Sequence, residues 1–369
     1  MKVLHYIPSM ARNLGGVATY VSLLSGELGQ LCELVIVTSV QDNDLPMNNC
    51  KVVNLDGFTF TDAGLGLSWK GIKAFATCCN KILDDECPDI VHINGIWSLD
   101  RWIMQRQALK RGIKTYIMPH GMLEPWILHR HYWTKKMPAL LLYERKALKS
   151  ARCLIATAES ERQNMLKLQM NKAEIPVVSN GVDVNSIPMK TDWNLRRKIL
   201  YVSRIHPKKG VEMLIDVVSS MTDHLKDYEV VIAGEGETDY VDSLKEKVAA
   251  NNLNIHFVGG VYGADKWHAF QDADFLVLPT YSENFGYVIA ESLACGTPVI
   301  TTHGTPWNEI DGVCGYWIER TDEALRDAMG KMLDKSTKEL ECMGRKGRKL
   351  IENNYSAKAM AEQLLKVYE

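Results

Sequence analysis

The chain has 369 residues, of which 46% are hydrophobic and 24% are charged, and its formal net charge is −2 at pH 7. This length is too great for one ordinary domain and predicts two. The composition is typical of a soluble globular protein, and the near-neutral charge gives no general reason to expect nucleic acid as a partner.

The cysteines and the first residues indicate a cytoplasmic protein. The nine cysteines are odd in number, scattered and without C-x-x-C spacing, which predicts reduced thiols and neither a disulfide framework nor a zinc site. Residues 1–7 are too short for a signal peptide and predict a buried first strand. No apolar run approaches the roughly 20 residues that cross a membrane.

Short apolar runs alternate with helical patterns, which predicts parallel β-α-β units. In the first half, strands are predicted at 3–7, 34–38, 90–93, 115–118 and 153–156, with helices at 17–28, 102–110 and 136–150. In the second half, strands are predicted at 198–202, 229–233, 255–258, 275–278 and 298–301, with helices at 211–220, 239–250, 264–271 and 287–294.

This alternation predicts an α/β fold of two doubly wound, parallel-sheet domains. We expect domains at 1–183 and 184–354, because Asn180–Gly181 interrupts the pattern, and a last helix at 355–369 that crosses back to the first domain. Ligands bind beyond the carboxyl ends of such strands, so a cleft between the two domains is the expected site.

Paired glycines, Gly15 and Gly16, lie between the first predicted strand and the next helix. Glycines let the backbone approach a ligand closely, and the helix N-terminus behind them favours anions. The spacing is not that of the G-x-G-x-x-G fingerprint, so a flexible turn remains the alternative.

His120 directly follows the predicted strand 115–118 and is itself followed by Gly121. It is therefore expected at the carboxyl end of a strand, where ligands bind. A purely structural histidine is the alternative.

The segment from Arg101 to Arg152 is strongly basic, with only Glu124 and Glu144 opposing it. Aromatic residues are interleaved with the basic ones: Trp102, Trp126, Tyr132, Trp133 and Tyr143. This mixture suits an anionic membrane surface or a phosphorylated lipid carrier. A nucleic-acid surface and a solvated helical face are the alternatives.

Arg204 and Lys209 flank the turn from strand 198–202 into the following helix. An arginine can bind phosphate oxygens bidentately and a lysine adds a compact charge, so the pair suits a departing diphosphate. A solvated basic loop is the alternative.

Glu283 precedes the predicted helix 287–294, and Glu291 lies within it. Eight residues at about 1.5 Å each span roughly 12 Å, on the order of the distance from sugar to ribose in a nucleotide-sugar. The helix N-terminus between them would favour a diphosphate. A loop acid and a solvated helix acid are the alternative.

Together these motifs resemble the retaining glycosyltransferases of family four, which have the GT-B fold. The family's E-x7-E motif matches Glu283 to Glu291, and its Arg…Lys-Gly motif matches Arg204 to Lys209–Gly210. The Gly-Gly loop and the Asn-Gly-Val-Asp hinge at 180–183 also match. Residues 119–123 and 304–309 resemble the subgroup that builds bacterial surface polysaccharides.

The resemblance implies a role for each matching residue. Arg204 and Lys209 would neutralise the diphosphate, Glu283 would bind the donor sugar and Glu291 the ribose. The remaining implied contacts are His120 with the sugar near the reacting carbon, Gly15 and Gly16 with the diphosphate, Val261 with the base, and the N–H groups of Asn284, Phe285 and Gly286 with sugar and phosphates.

The predicted activity is transfer of a sugar from a nucleotide diphosphate, with UDP favoured, to a saccharide acceptor that is lipid-linked. Retention of configuration, no cofactor and no metal are expected, as are a position on the inner face of the cell membrane and no nucleic-acid partner. A nucleotide-sugar epimerase of the same architecture and a non-catalytic nucleotide-sugar-binding protein are the alternatives.

Overall fold

A computed structural model describes residues 1–11, 16–41, 44–55, 57–58, 60–61, 64–65, 68–123, 136–168 and 174–369. The chain forms two compact units, one of Met1–Gly181 with Ala357–Glu369 and the other of Val182–Ser356. The boundaries expected from sequence were after residues 183 and 354.

The first unit contains a six-stranded parallel sheet and a short antiparallel hairpin. Its strands are β1 (Lys2–Ser9), β2 (Glu33–Ser39), β3 (Lys51–Asn54), β4 (Phe60–Thr61), β5 (Gly64–Leu65), β6 (Ile90–Asn94), β7 (Lys114–Met118) and β8 (Cys153–Leu154). Its helices are α1 (Gly16–Leu31), α2 (Trp69–Glu86), α3 (Leu99–Lys110), α4 (Met137–Ala139), a π-helical turn (Leu140–Glu144), α5 (Arg145–Ser150) and α6 (Glu159–Lys167).

The second unit is built on another six-stranded parallel sheet. Its strands are β9 (Lys198–Val202), β10 (Glu229–Ala233), β11 (Ile255–Gly259), β12 (Phe275–Leu278), β13 (Val299–Thr302) and β14 (Gly315–Ile318). Its α-helices are α7 (Val211–Ser220), α8 (Thr238–Ala250), α9 (Gly263–Gln271), α10 (Tyr287–Ala294), α11 (Asp322–Leu333) and α12 (Thr337–Asn354); short 3-10 turns lie at Val184–Ser186, Pro207–Lys209 and Asn308–Ile310.

A last helix, α13 (Ala357–Tyr368), returns the chain to the first unit and packs against α1. Its buried residues Met360, Ala361 and Leu364 join the core formed by one face of the first sheet. The apolar stripe on this helix is thus buried by packing on its own unit.

Both sheets have the same strand order, β3-β2-β1-β6-β7-β8 in the first and β11-β10-β9-β12-β13-β14 in the second. This is the doubly wound Rossmann order, in which successive strands are added first toward one side of the sheet and then, from the fourth strand of the order onward, toward the other side. The reversal lies between β1 and β6 in one sheet and between β9 and β12 in the other. The prediction of two doubly wound α/β domains is confirmed.

The central strands are apolar because helices cover both of their faces. Seven of the eight residues of β1 and all four residues of β12 are buried. The sequence patterns predicted β9, β10 and β12 with the observed bounds, but β3 and β14 were not predicted. Both are edge strands of four residues; β3 is mostly exposed and β14 is only partly buried, so they lack the continuous apolar run of a central strand.

Among the described residues, no helix is both long enough and apolar enough to cross a membrane.

Candidate active site

The loop after β9 is held in place by a glycine. Pro207–Lys209 forms a 3-10 turn whose first N–H, from Lys208, is capped by the His206 ring. Gly210 ends the turn at φ 75°, and a Cβ at this position would lie 2.0 Å from the carbonyl oxygen of Pro279. Only glycine allows this approach, which brings the loop against the end of β12.

The loop after β12 is fixed on both sides by backbone contacts. The Tyr281 N–H donates to the Lys208 carbonyl at 2.9 Å, and the Glu283 N–H donates to the Gly304 carbonyl at 2.9 Å. A Cβ on Gly304 would lie 2.1 Å from the Tyr281 carbonyl oxygen. The loops that follow β9, β12 and β13 therefore form one connected surface at the switch point of the second sheet.

This surface brings Lys209 and Glu283 together. The Lys209 Nζ donates a hydrogen bond to Glu283 Oε1, and the two side chains are only 15% and 14% exposed. The sequence motifs predicted both residues at the site but not their contact. The result is a partly dehydrated ion pair at the place where a doubly wound sheet binds ligands.

Arg204 lies on the same edge, two residues after β9, and is exposed. Its guanidinium makes no ion pair or hydrogen bond with any residue that the structure describes. A guanidinium that is not neutralised by the protein is suited to bind an anionic ligand.

The segment from Phe285 to the start of α10 presents backbone donors. Gly286 has φ 82° and is the N-cap of α10, which begins at Tyr287. Within the described part of the chain, the N–H groups of Phe285 and Gly286 donate to no acceptor. Phe285 is buried, and its carbonyl accepts a hydrogen bond from the Trp307 indole, so the segment is anchored from beneath. Asn284 is half-buried beside them.

Glu291 has a lysine partner that the sequence did not reveal. The Lys266 Nζ of α9 lies 2.7 Å from Glu291 Oε1, and the Glu291 side chain is 15% exposed. Burial raises the pKa of Glu291, whereas the charge and hydrogen bond of Lys266 lower it. Lys266 also lies 4.5 Å from the Trp267 ring centre. In sequence it looks like an ordinary solvated helix lysine, so no motif pointed to it.

Val261 lies two residues after β11, at the same edge of the sheet, and packs partly buried against the core. A Cβ on the preceding Gly260 would lie 2.7 Å from Glu235 Oε1 and from the Tyr262 ring. The predicted base-binding segment is thus a close-packed part of this edge.

His120 is found in the first unit at the carboxyl end of β7, as predicted. Its φ is 55°, its ring lies edge-on to Tyr20 at 4.8 Å, and its Nε2 is 3.3 Å from Asn94 Oδ1. Burial lowers the pKa of His120 to about 3, and the positive charge of Arg101 adds to this effect. The imidazole is therefore neutral at physiological pH.

Gly16 is exposed at the first position of α1, and Gly15 lies outside the described residues. The central part of the basic segment, including Arg130 and Lys135 with Trp126, Tyr132 and Trp133, lies outside them as well. Within the described residues, no group of three or more His, Cys, Asp or Glu side chains could hold a metal ion.

The chain belongs to the family described as "Glycosyl transferases group 1", which it matches over residues 183–368. Residues 14–186 match the family described as "Glycosyltransferase Family 4". The resemblance drawn from the motifs is confirmed.

Curated relatives are similar over part of their length. A phosphatidyl-myo-inositol mannosyltransferase of Mycobacterium leprae is 28% identical over 219 residues, which are 57% of this chain and 56% of the relative. The capsular polysaccharide biosynthesis glycosyltransferase CapM of Staphylococcus aureus is 28% identical over 248 residues, 62% of this chain and 64% of the relative. The match thus spans less than two thirds of either relative.

Solved structures share the fold along the whole chain. Sucrose-phosphate synthase of Thermosynechococcus elongatus superposes with a TM-score of 0.73 at 18% identity, covering 100% of this chain and 98% of that one. Anabaena Alr3699/HepE, in complex with UDP and glucose, gives 0.72 at 15% identity, covering 100% and 99%. The fold is GT-B.

Proposed function

We propose that the protein transfers a glycosyl group from a nucleotide diphosphate sugar to a hydroxyl group of a saccharide acceptor. The observation that carries this proposal is the Lys209–Glu283 pair at the β9–β12 switch point, with the free guanidinium of Arg204 on the same edge. The bond that must break joins the sugar to the diphosphate. Lys209 can bind the diphosphate at one end of this bond, and Glu283, in contact with it, can bind the sugar hydroxyls at the other end.

The roles follow from the chemistry of each group. Arg204 and Lys209 bind the diphosphate, and the free N–H groups at the start of α10 add to its stabilisation. Glu283 accepts hydrogen bonds from the sugar hydroxyls, and Glu291 accepts them from the ribose hydroxyls. Neutral His120 is assigned to the sugar near its reacting carbon, and the segment at Val261 to the base.

We propose that the anomeric configuration is retained through attack on the same face. The bond from the anomeric carbon to the phosphate oxygen breaks, and its electron pair stays on that oxygen. The acceptor oxygen forms the new bond to carbon, and its proton passes to the departing phosphate oxygen. Glu283 is assigned to the outer hydroxyls of the sugar and not to the role of nucleophile. Positioning and charge stabilisation then supply the rate enhancement.

The donor is proposed to be a UDP-sugar. This rests on Alr3699/HepE, a protein of the same fold whose structure contains UDP. Similarity to CapM supports an acceptor in surface polysaccharide synthesis, and similarity to the phosphatidyl-myo-inositol mannosyltransferase supports a lipid-linked acceptor.

A panel of nucleotides and nucleotide-sugars tests the proposal by thermal shift and then by product analysis. A ligand that binds only the folded protein raises the melting temperature by mass action, so the cognate base and sugar should stand out. Incubating the selected donor without acceptor should leave the sugar unchanged or slowly hydrolysed. Conversion into another nucleotide-sugar would instead identify an epimerase, and absence of any stabilising nucleotide would end the proposal.

We also propose that the first unit docks on an anionic membrane. Leu141 and Leu142, in the π-helical turn, are 75% and 78% exposed, and the basic residues Arg145, Lys146 and Lys149 follow in the next helix, α5. Exposed apolar side chains beside cations suit a headgroup boundary.

Sedimentation with vesicles of anionic lipid tests this contact. Replacing Leu141 and Leu142 by Ser, or Lys136, Arg145 and Lys149 by Gln, should release the protein from the vesicles. The matched control is Leu195→Ser, which removes an exposed leucine from the second unit. Equal sedimentation of all variants would contradict the proposal.

A further inference from the structure

A buried polar cluster lies beneath His120 and has no role in the proposed chemistry so far. His5 of β1 and His92 of β6 are register partners with stacked rings, whose centres are 4.4 Å apart at an interplanar angle of 7°. Asn94 and Tyr368 complete the cluster, and all four residues are almost inaccessible to solvent. Buried polar groups of this kind require a consistent set of hydrogen bonds.

The orientation of the Asn94 amide is fixed by a backbone carbonyl. The Asn94 Nδ2 lies 3.2 Å from the Tyr6 carbonyl oxygen, which can only accept, so the amino group must point there. The opposite orientation would place two oxygen acceptors against each other. Asn94 Oδ1 therefore faces His120 Nε2, 3.3 Å away, and that ring nitrogen carries the proton.

The same amide fixes the protons on the other two histidines. Asn94 Nδ2 also lies 3.3 Å from His5 Nδ1, which must then be an acceptor. His5 Nε2–H consequently donates to the Tyr368 hydroxyl at 3.0 Å, and that hydroxyl donates to His92 Nδ1 at 2.6 Å. His92 Nε2–H is left without a partner among the described residues. One assignment of protons satisfies every observed contact.

These rings are neutral, so the choice lies only between neutral tautomers. Burial lowers the pKa of His5 to about 3, and it lowers the pKa of His92 well below its usual value. Among the described residues, the charged and titratable groups near His120 are Arg101 on α3, His5 on β1, His92 on β6, Tyr20 on α1, and Glu161 on α6, which accepts from the N–H of the adjacent Gly121.

We propose that Asn94 is a positioning residue that holds His120 as the neutral Nε2–H tautomer, so that Nδ1 is left as a hydrogen-bond acceptor. Tyr20 restricts rotation of the ring, and the Tyr6 carbonyl orients the amide. The use of Nδ1 to accept from a substrate hydroxyl rests on the proposed function, whereas the tautomer itself does not.

Long-range proton–nitrogen NMR of the histidine rings tests the tautomer directly, with His120 assigned by its loss in His120→Gln. We expect a protonated Nε2 and an unprotonated Nδ1. Asn94→Asp keeps an acceptor toward His120, so it should keep this tautomer and raise the pKa of His120, because a carboxylate stabilises imidazolium. It also puts an oxygen opposite the Tyr6 carbonyl and His5 Nδ1, so the His5 signals should change and the folded state should be less stable. Asn94→Leu removes the acceptor and should give a mixture of both tautomers.

Tyr368→Phe is the matched control. It removes a hydroxyl from the cluster and should change the His5 and His92 signals, yet leave His120 as Nε2–H, since Tyr6 still orients Asn94. A protonated Nδ1 on His120 in the wild-type protein would overturn the proposal. So would an unchanged tautomer in a folded Asn94→Leu protein; if that variant fails to fold, the wild-type and Asn94→Asp spectra still decide.

Steady-state kinetics separate this proposal from the proposed function. With an active enzyme, Asn94→Leu should lower kcat about tenfold, a loss of roughly 1.4 kcal/mol, with the donor KM nearly unchanged. In Asn94→Asp, kcat should fall at acid pH as His120 becomes protonated. Unchanged kinetics in both variants would overturn the positioning role. A wild-type protein without transferase activity but with the expected tautomer would overturn only the proposed function.

Discussion

The ammonium group of Lys209 binds the carboxylate of Glu283, although the two residues are 74 positions apart in the chain. The contact exists because Gly210 lets the β9 loop approach Pro279 and because the Tyr281 N–H binds the Lys208 carbonyl. A donor diphosphate that binds Lys209 must either share the ammonium group with the Glu283 carboxylate or displace that carboxylate from it. Glu283 is thereby presented next to the phosphates.

Replacing Lys209 by Ala should lower kcat by roughly 100-fold and weaken donor binding much less, because its charge matters most when the diphosphate departs. Initial-rate kinetics and donor titration measure the two effects. The control is Lys226→Ala, an exposed lysine before β10 at the opposite edge of the sheet. An unchanged kcat in Lys209→Ala would remove its assigned role.

Glu291→Gln should weaken binding of the cognate nucleoside diphosphate about tenfold, since a charged acceptor for the ribose hydroxyls is lost. Measuring the binding of the 2′-deoxy nucleotide to both proteins completes a thermodynamic cycle, in which the residue and the ribose hydroxyl are removed separately and together. If Glu291 binds the ribose, the two changes should be non-additive. Calorimetric titration measures both, and fully additive losses would place Glu291 away from the ribose.

Chelation should leave the transferase rate unchanged, because Arg204, Lys209 and the start of α10 are proposed to stabilise the diphosphate without a divalent ion. The measurement is the initial rate with and without EDTA after dialysis. A loss that magnesium restores would contradict the metal-free mechanism.

Gly210→Ala should destabilise the second unit by about 2 kcal/mol or more, through its left-handed backbone and the clash with Pro279. Gly330→Ala is the matched control, since a Cβ there meets nothing within 4 Å inside α11 and should stabilise by about 1 kcal/mol. Urea unfolding measures both. Equal stability of the two variants would show that the β9 loop does not need this approach.

The buried carboxyl of Glu144 should make stability depend on pH. Burial raises the pKa of Glu144 to about 7, against the hydrogen bond from the Trp97 N–H that lowers it. Because the folded state holds the proton more tightly than the unfolded state, protonated Glu144 adds to the free energy of unfolding. This contribution is full below about pH 4.5 and is lost as pH rises through about 7.

Glu144→Gln should therefore lose less stability than the wild type between about pH 4.5 and 7, since its neutral side chain has no proton to release. Urea unfolding across this range measures the slope. Glu362→Gln, which alters an exposed carboxylate on α13, is the control. Identical slopes for wild type and Glu144→Gln would show that folding does not raise the pKa of Glu144.

The sequence predicted the doubly wound architecture because central parallel strands are continuous apolar runs, as in β12. It also predicted which residues lie at the strand ends, since that depends only on local order. It could not predict the partner of Glu291, because Lys266 lies 25 residues away on another helix. Nor could it predict that the Asn94 amide holds His120, because in the sequence Asn94 is only the last residue of a buried strand and nothing there indicates its contact with His120.

The hydrogen bond between His5 and Tyr368 joins residues separated by 363 positions within the first unit. A ribosome must therefore make the whole second unit before the first can complete its polar cluster and cover α1 with α13. During synthesis the first unit exposes this apolar helix face for the time needed to add more than 170 residues, at about 5–20 residues per second. Throughout this interval the nascent chain carries an exposed apolar face, which favours aggregation.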